Sequence, residues 1–158
     1  MKIRNMIPTD AESVLQIYQQ GVETHNATFQ THIPSWEEWD KTHSPKCRLV
    51  AVLNDRVLGW VAISPVSKRE VYQGVAEVSI YVEEHFRKKG IGKLLLKSLI
   101  AESEKEGFWT LQSSVFPENI GSLKIHEDLH FRRVGFREKI AKLEGSWRNT
   151  VLLERRRK

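Results

Sequence analysis

A basic, glycine-containing segment at residues 87–93 is the part of the chain whose residue types best suit ligand chemistry. It holds four cations among seven residues, together with Gly90 and Gly92. A strand-like run at residues 75–82 precedes it, and a helix-like run follows from residue 91 to about residue 107. Glycines where a helix begins let backbone N–H groups close on an anion, and the helix dipole adds partial positive charge. The segment therefore predicts a site for a diphosphate.

Glu77 is the first candidate for a general base. It stands in the middle of an alternating strand pattern, in which Ala76 and Val78 belong to the apolar face. A carboxylate there is unusual unless its face lines a cavity, and the alternative is an exposed strand face with Glu77 in water. His126, on a predicted helix, is the second candidate, as a relay for the base or as a substrate contact. A lone histidine on a helix is often structural, so both interpretations stay open.

A rival motif overlaps His126. Residues 126–130 match the pattern His-Glu-x-x-His, in which two histidines one helical turn apart bind zinc. A catalytic zinc needs a third protein ligand, and none stands at a recognised spacing downstream, so a zinc hydrolase is a remote alternative. The lone Cys47 permits no internal disulfide and argues against a cysteine-based metal site. We expect no bound metal.

Hydrophobic periodicity and capping patterns predict the elements that carry these residues. The spacings Thr9-x-x-Glu12 and Ser35-x-x-Glu38 match capping boxes at the starts of two helices. Strands are predicted at residues 2–4, 48–53, 57–63, 75–82, 109–116, 133–143 and 150–154, and further helices at residues 91–107 and 119–130. The order β-α-α-β-β-β-α-β-α-β-β predicts an α+β fold with a mixed, mostly antiparallel sheet.

Length and composition predict one domain over residues 1–158, in which residues 155–158 form a basic, solvated tail. The net charge of +5 falls to +1 without this tail, because 21 basic residues then face 20 acidic ones. No basic stripe with interleaved aromatic residues supports a nucleic-acid partner. No apolar run reaches the roughly 20 residues of a membrane span, and the start lacks the apolar core of a signal peptide. We expect a cytoplasmic protein without a membrane partner.

The pattern Arg87-x-x-Gly90-x-Gly92 between a strand and a helix resembles the acetyl-CoA loop of the GNAT acetyltransferase superfamily. Segments at residues 27–29, 59–60, 76–82, 117–127 and 145–147 narrow the resemblance to the phosphinothricin acetyltransferase branch. The resemblance extends from residue 3 to about residue 153. One departure is His130, which stands where the branch usually has glycine. Because glycine would cap the helix there, we expect His130 to be strained or the cap to shift.

The resemblance implies which residues hold acetyl-CoA, the co-substrate. They are the loop residues Arg87, Lys88, Lys89, Gly90, Ile91, Gly92 and Lys93, the backbone of Ile80, Tyr81 and Val82, and the helix-start residues Asn119 and Ser122. The backbone of residues 80–82 is expected to pair with the pantetheine arm as an added strand does. Asn119 could equally serve as the N-cap of its helix.

The resemblance also implies catalytic and substrate-binding residues. Glu77 and His126 are the catalytic candidates, and the substrate-binding set is Phe29, Arg69, Tyr72, Glu77, Val78 and Ser79. Arg69 could clamp a carboxylate or phosphinate with two hydrogen bonds, although its segment also fits a plain surface loop.

Together these residues imply an N-acetyltransferase for the α-amine of a small amino acid or analogue, of the phosphinothricin, methionine sulfoximine or methionine sulfone type. Glu77 would deprotonate the amine, which would attack directly without an acyl-enzyme. The resemblance further implies a homodimer and helices on both faces of a twisted sheet. Lys68 and Arg69 favour an anionic substrate over a polyamine. Acetylation of a polyamine, an aminoglycoside or a protein N-terminus, or a non-catalytic CoA-binding role, remain the alternatives.

Overall fold

The strands form one sheet, and its order determines where a cleft can open. In the computed structural model, which describes residues 1–158, strands β1 to β7 comprise Lys2–Asn5, Leu49–Leu53, Arg56–Pro65, Val75–Val82, Thr110–Val115, Arg132–Leu143 and Ser146–Arg156. The sheet order is β1-β2-β3-β4-β5-β7-β6. Every neighbouring pair is antiparallel except β4 and β5, which are parallel. This mixed, mostly antiparallel sheet confirms the predicted fold class.

Four helices cover the two faces of the sheet. They are α1 at Ala11–Glu23, α2 at Trp36–Thr42, α3 at Ile91–Lys105 and α4 at Ile120–Asp128. On one face, α1 and α2 bury Val14 and Trp39 in a cluster with Trp60 of β3. On the other face, α3 and α4 bury Leu95 and Leu123 in a separate cluster of 19 residues. None of the four helices combines the length and the hydropathy that a transmembrane span requires.

The first two helix starts show one correct prediction and one wrong one. The Ser35 hydroxyl accepts a hydrogen bond from the Glu38 amide at 3.2 Å, so the predicted helix start with Ser35 as N-cap is confirmed, although the Glu38 carboxylate accepts the Ser35 hydroxyl and not its backbone amide. Thr9 caps nothing, because a short 3-10 turn at Pro8–Asp10 precedes α1. The Asp10 carboxylate instead accepts the Ile7 amide at 2.8 Å and pairs with Arg4. Hydrogen bonds to a charged group are the stronger ones, and they determine this turn.

The parallel pair of β4 and β5 is short. Only Val75, Ala76 and Glu77 of β4 have partners on β5, which are the residues from Thr110 to Gln112. Beyond them, β4 continues beside β3 as far as Val82, and β5 continues beside β7. The two strands diverge after the third pair, so their facing edges are unpaired and a cleft opens between them.

The last strand is longer than predicted. It begins at Ser146 and ends at Arg156. Arg155 pairs with Leu111 of β5, and its guanidinium donates to Glu104 at 3.0 Å. Residues 155 and 156 therefore continue the sheet. The expectation of a solvated basic tail is wrong for Arg155, which is half-buried, whereas Arg156 is exposed.

Candidate active site

The gap between β4 and β5 opens into a cleft of about 250 Å3. Its walls come from the loop after α1, the two facing strand edges, the start of α4 and β7. The lining residues are Ala27, Thr28, Phe29, Glu77, Val78, Ser79, Ile80, Tyr81, Ser113, Ser114, Val115, Phe116, Asn119, Ser122, His126 and Thr150. Both catalytic candidates thus line one cleft.

Glu77 lies where the two strands part. It is the last residue of β4 to pair with β5, opposite Gln112, and it is half-buried. Gln112 Nε2 approaches Glu77 Oε1 at 3.4 Å, which is a long hydrogen bond. The face that carries this carboxylate does line a cavity, as the sequence interpretation required.

Tyr81 extends the same strand face toward α1. Its ring stacks on Trp60 with centroids 5.0 Å apart and packs against Tyr18 at 4.9 Å. Burial raises the pKa of its hydroxyl above the usual value, so the group stays neutral near pH 7. Gly21 of α1 permits the arrangement, because a Cβ at that position would lie 2.5 Å from the Tyr81 ring. The α1 side of the cleft is therefore a packed aromatic wall.

His126 approaches the cleft from the opposite face of the sheet. Its Nδ1 lies 2.7 Å from the Ser122 carbonyl oxygen, and its Nε2 lies 2.8 Å from Ser113 Oγ. The residue is 2% exposed, and this burial lowers the pKa of the imidazole below its usual value of 6.5. His126 is therefore a neutral imidazole near pH 7.

The end of α4 explains how His130 replaces a glycine. His130 takes the left-handed conformation with φ of 70°, and its amide donates to the Glu127 carbonyl. The next amide, that of Phe131, donates to the His126 carbonyl at 3.0 Å, which completes a Schellman motif. The cap has not shifted. Because α4 ends at Asp128, His126 and His130 do not share a helical face, and the zinc interpretation of this motif is wrong.

Comparison with known proteins decides the family. The model of the acetyltransferase (GNAT) family matches residues 11–131, which include both cleft strands and α4. The chain belongs to the acetyltransferase (GNAT) family. It is 24% identical to the L-methionine sulfoximine/L-methionine sulfone acetyltransferase of Pseudomonas aeruginosa, over 96% of this chain and 92% of that protein.

Solved GNAT structures have the same architecture. A phosphinothricin acetyltransferase (Pat) from Sinorhizobium meliloti, solved in complex with AcCoA, is 26% identical with a TM-score of 0.88 and covers 98% of this chain and 87% of its own. A ribosomal-protein-alanine N-acetyltransferase from Brucella melitensis is 24% identical with a TM-score of 0.90 and covers 99% of this chain and 100% of its own. As a GNAT enzyme, this protein is an acetyl-CoA-dependent N-acetyltransferase.

Two features of this GNAT fold fit acetyl-CoA. The edge of β4 from Val78 to Val82 has no strand partner on the cleft side, so its backbone groups there are available to an extended arm, except the Val82 carbonyl, which accepts from Arg87. The start of α3 is open, because its N-cap is Gly90 and no side chain caps it. Gly90 has φ of 85°, a conformation that favours glycine. The backbone amides of the first turn of α3 have no partner within the helix. These amides suit a diphosphate.

The other loop residues divide into exposed cations and packing contacts. Lys88 and Lys89 are exposed, and the Lys89 ammonium lies 5.2 Å from the Phe86 ring centroid. Lys93 forms an ion pair with Asp128 at 3.3 Å. The Arg87 side chain donates to the Val82 carbonyl at 3.3 Å, and Ile91 is buried. At Gly92, a Cβ would lie 3.3 Å from Ile125 Cδ1. Gly92 thus serves close packing of α3 on α4 rather than an open loop.

Besides the loop at residues 87–93, three predicted site residues have side chains outside the cleft, namely Arg69, Tyr72 and Val82. Arg69 and Tyr72 are exposed in the segment before β4, where the guanidinium lies 5.5 Å from the tyrosine ring centroid. A short 3-10 turn at Glu70–Tyr72 keeps this segment on the surface. The Val82 side chain packs toward Gly92 rather than into the cleft, although its backbone continues the free edge.

Arg148 is a site-supporting residue that sequence reasoning missed. Its guanidinium lies 4.0 Å from the ring centroid of Phe116, which lines the cleft, and Phe29 packs edge-on against that ring at 4.9 Å. It also donates to the His25 carbonyl at 2.7 Å and to Asn26 Oδ1 at 3.0 Å. Arg148 therefore ties the loop after α1 to the floor of the cleft. No sequence signal identifies it, because its hydrogen-bond partners His25 and Asn26 lie more than 100 residues away in the chain.

Asn119 has one of the two roles that the sequence left open, that of the N-cap, and it also contacts the loop after α1. Its Oδ1 accepts the Ser122 amide at 3.2 Å, so it is the N-cap of α4. Its Nδ2 donates to the Asn26 carbonyl at 3.3 Å, and the residue lines the cleft. Asn119 therefore joins Arg148 in holding the loop.

Proposed function

We propose that this enzyme transfers the acetyl group to the α-amine of a small amino acid or analogue, of the phosphinothricin, methionine sulfoximine or methionine sulfone type. The observation that carries the proposal is a narrow cleft with a carboxylate, Glu77, at the point where β4 and β5 part. The names of the similar proteins support the acceptor class. Because the same fold also occurs in a ribosomal-protein-alanine N-acetyltransferase, the fold alone does not select the acceptor.

Glu77 is proposed as the general base. An amino-acid amine is mostly protonated at pH 7, so it must lose a proton before it can attack a thioester. The Glu77 carboxylate is half-buried in the cleft and held near Gln112, where it can accept that proton. The unpaired N–H groups of β4 from Val78 onward are the donors available to a developing oxyanion.

Direct attack is proposed, without an acyl-enzyme. The only cysteine, Cys47, lies in the apolar core and does not line the cleft. Burial raises the pKa of its thiol to about 12, so the reactive thiolate is scarce at neutral pH.

The cleft lining favours an amino acid over a polyamine or an aminoglycoside. Glu77 is the one carboxylate among the lining residues, whereas a polycationic acceptor would require several. The hydroxyls of Ser79 and Thr150 and the amide of Asn119 offer neutral hydrogen bonds to a zwitterion. The volume of about 250 Å3 also suits the end of a pantetheine arm with a small acceptor.

A thiol-release assay with acetyl-CoA tests this proposal. The acceptors are phosphinothricin, methionine sulfoximine, methionine sulfone, spermidine and a peptide amine, each compared by kcat/KM. We expect the three amino-acid analogues to exceed the other two. A preference for spermidine or the peptide would mean that the acceptor is a polyamine or a protein amine and not a small amino acid. Coenzyme binding without turnover of any amine would indicate a non-catalytic CoA-binding protein.

We further propose that two copies associate through β6, the edge strand of the sheet. Phe136 and Ile140 of β6 and Trp147 of β7 are 59%, 49% and 56% exposed. Proteins usually cover large apolar side chains beside an unpaired strand edge. Light scattering on a sizing column should give the mass of a dimer, and Phe136→Asp should give a monomer. A wild-type protein that stays monomeric at tens of micromolar would exclude this homodimer.

A further inference from the structure

Two buried polar side chains meet inside the cleft, and nothing above explains why both are there. Ser113 lies on β5 and His126 on α4, and they are 3% and 2% exposed. Ser113 Oγ and His126 Nε2 are 2.8 Å apart, and both residues line the cleft. Burying a hydroxyl and an imidazole stabilises a fold little by itself, so the pair invites a chemical explanation.

The direction of each hydrogen bond follows from the partner of Nδ1. A carbonyl oxygen only accepts, so the contact of 2.7 Å with the Ser122 carbonyl requires the proton on Nδ1 of His126. Because the imidazole is neutral, Nε2 then carries a lone pair. The hydroxyl of Ser113 must therefore donate its proton to Nε2. This arrangement leaves the lone pairs of Ser113 Oγ free to accept a proton from another group in the cleft.

Acetylation needs a second proton acceptor. An ammonium nitrogen carries three protons and the amide nitrogen of the product carries one, so two protons must leave. Glu77 can take one of them. It lies on the strand face directed toward α1, while Ser113 follows Gln112, the β5 partner of Glu77, and belongs to the opposite face. The two candidates therefore flank the same opening from its two sides.

We propose that Ser113 relays the second proton from the acceptor amine to His126. The nitrogen–hydrogen bond of the amine breaks as an O–H bond forms on Ser113. The original O–H bond of Ser113 breaks as an N–H bond forms on Nε2, which gives an imidazolium held by the Ser122 carbonyl. The carbon–sulfur bond of the thioester breaks as the carbon–nitrogen bond of the product forms. The leaving thiolate of coenzyme A then takes the proton from the imidazolium through Ser113, which gives the free thiol and restores neutral His126. His126 thus acts through Ser113 and is a positioning residue. The relay rests on the proposed acetyl transfer and adds a residue to it.

The test combines kinetics with nitrogen NMR of the imidazole. Ser113→Ala should lower kcat about 100-fold while the KM for acetyl-CoA stays nearly constant, as expected for loss of one proton-transfer group. Ser113→Thr keeps a hydroxyl and should restore most of the loss. Ser103→Ala is the matched control, because Ser103 is equally buried and its hydroxyl donates to the Ile100 carbonyl, in the core. Should Ser113→Ala fail to fold, His126→Gln replaces it in the kinetic test, because a glutamine amide can accept the hydrogen bond of Ser113 but cannot take up its proton.

In the NMR spectrum, the wild-type Nε2 signal should be that of an unprotonated, hydrogen-bonded nitrogen. Ser113→Ala should move this signal to the position of a free lone pair, and Ser103→Ala should not. The relay is excluded if Ser113→Ala leaves kcat unchanged, or if Nε2 carries the proton in the wild type. A wild-type protein that acetylates no amine would instead overturn the proposed function, and the NMR measurement would still decide whether Ser113 donates.

Discussion

The loop at residues 87–93 and the cleft between β4 and β5 use different parts of the chain to recognise a ligand. The loop offers backbone amides at the open start of α3, and its lysine side chains Lys88 and Lys89 extend into solvent. The cleft offers side chains in defined hydrogen bonds, such as Ser113 with His126. A backbone site depends on chain conformation, whereas a side-chain site depends on particular atoms. Substitutions that change one and not the other can therefore separate the two regions.

The largest effect is expected at the carboxylate of the cleft. Glu77→Gln keeps the shape of the side chain and removes its basicity, so kcat should fall by about 100-fold or more. The affinity for acetyl-CoA, measured by calorimetry, should change little, because the loop is untouched. If Glu77→Gln and the wild type are equally active at pH 7, Glu77 is not the base, and the cleft would have no established catalytic group.

The next largest effect is expected at Gly90, where the backbone does the binding. An alanine at φ of 85° costs roughly 1–2 kcal/mol. Relief of this strain would turn the amides away, so the KM for acetyl-CoA should rise roughly tenfold with a smaller change in kcat. Steady-state kinetics at saturating acceptor measures both constants.

Gly107 provides the matched control for Gly90. It also has positive φ, 90°, and a Cβ there would meet nothing within 4 Å. Gly107→Ala should therefore lose similar stability and leave the KM for acetyl-CoA unchanged. If both alanine variants raise this KM equally, the loop effect is one of general stability and not of amide orientation.

A substitution at Arg148 should affect binding of the acceptor and not of acetyl-CoA. Arg148→Lys keeps the charge but loses the planar fork that reaches His25 and Asn26. Loss of about 1 kcal/mol of hydrogen bonding should raise the acceptor KM roughly fivefold and leave the acetyl-CoA KM unchanged. Hydrogen exchange should be faster in the loop that carries Phe29.

Arg132→Lys is the control for this variant. Arg132 forms an exposed ion pair with Glu154 on the neighbouring strand, at a distance of 2.6 Å. It should change neither KM nor exchange in the loop after α1. Equal exchange rates in Arg148→Lys and wild type would contradict the tethering role.

The two regions also differ in how far the sequence predicted them. The loop is contiguous, so the glycine spacing and the flanking strand and helix identified it, and the alternation around Glu77 identified β4. Ser113 and Arg148 carried no signal, because tertiary packing and not sequence spacing brings their partners to them. His126 reaches Ser113 from α4, and His25 and Asn26 reach Arg148 from the loop after α1. Arg69 and Tyr72 were placed near the substrate by resemblance alone, and local turn geometry keeps them on the surface.

Stability should depend on pH through the cleft histidine. Burial lowers the pKa of His126 below its unfolded value of 6.5, so the unfolded chain takes up a proton that the folded one does not. The free energy of unfolding should therefore be highest above pH 6.5, as far as His126 is concerned, and should fall as the pH drops below 6.5. One group contributes at most about 1.4 kcal/mol per pH unit.

Denaturant unfolding between pH 5 and 8 measures this slope, and His126→Gln should reduce it. His43 is half-buried, and partial burial lowers its pKa as well, so part of the slope should remain. Identical slopes in the variant and the wild type would show that His126 has the same pKa in the folded and the unfolded protein.

The smallest effect is expected at His130, which follows the end of α4, because its backbone conformation and not its side chain determines stability there. His130 holds φ of 70°, a conformation that costs an ordinary residue about 1 kcal/mol and glycine almost nothing. Because the Schellman hydrogen bonds are made by the backbone, His130→Gly should keep them and raise the unfolding free energy by up to about 1 kcal/mol. The gain is reduced by the extra freedom of glycine in the unfolded chain. Turnover should not change, since His126 keeps its partners, and a loss of activity would mean that His130 itself takes part in the site.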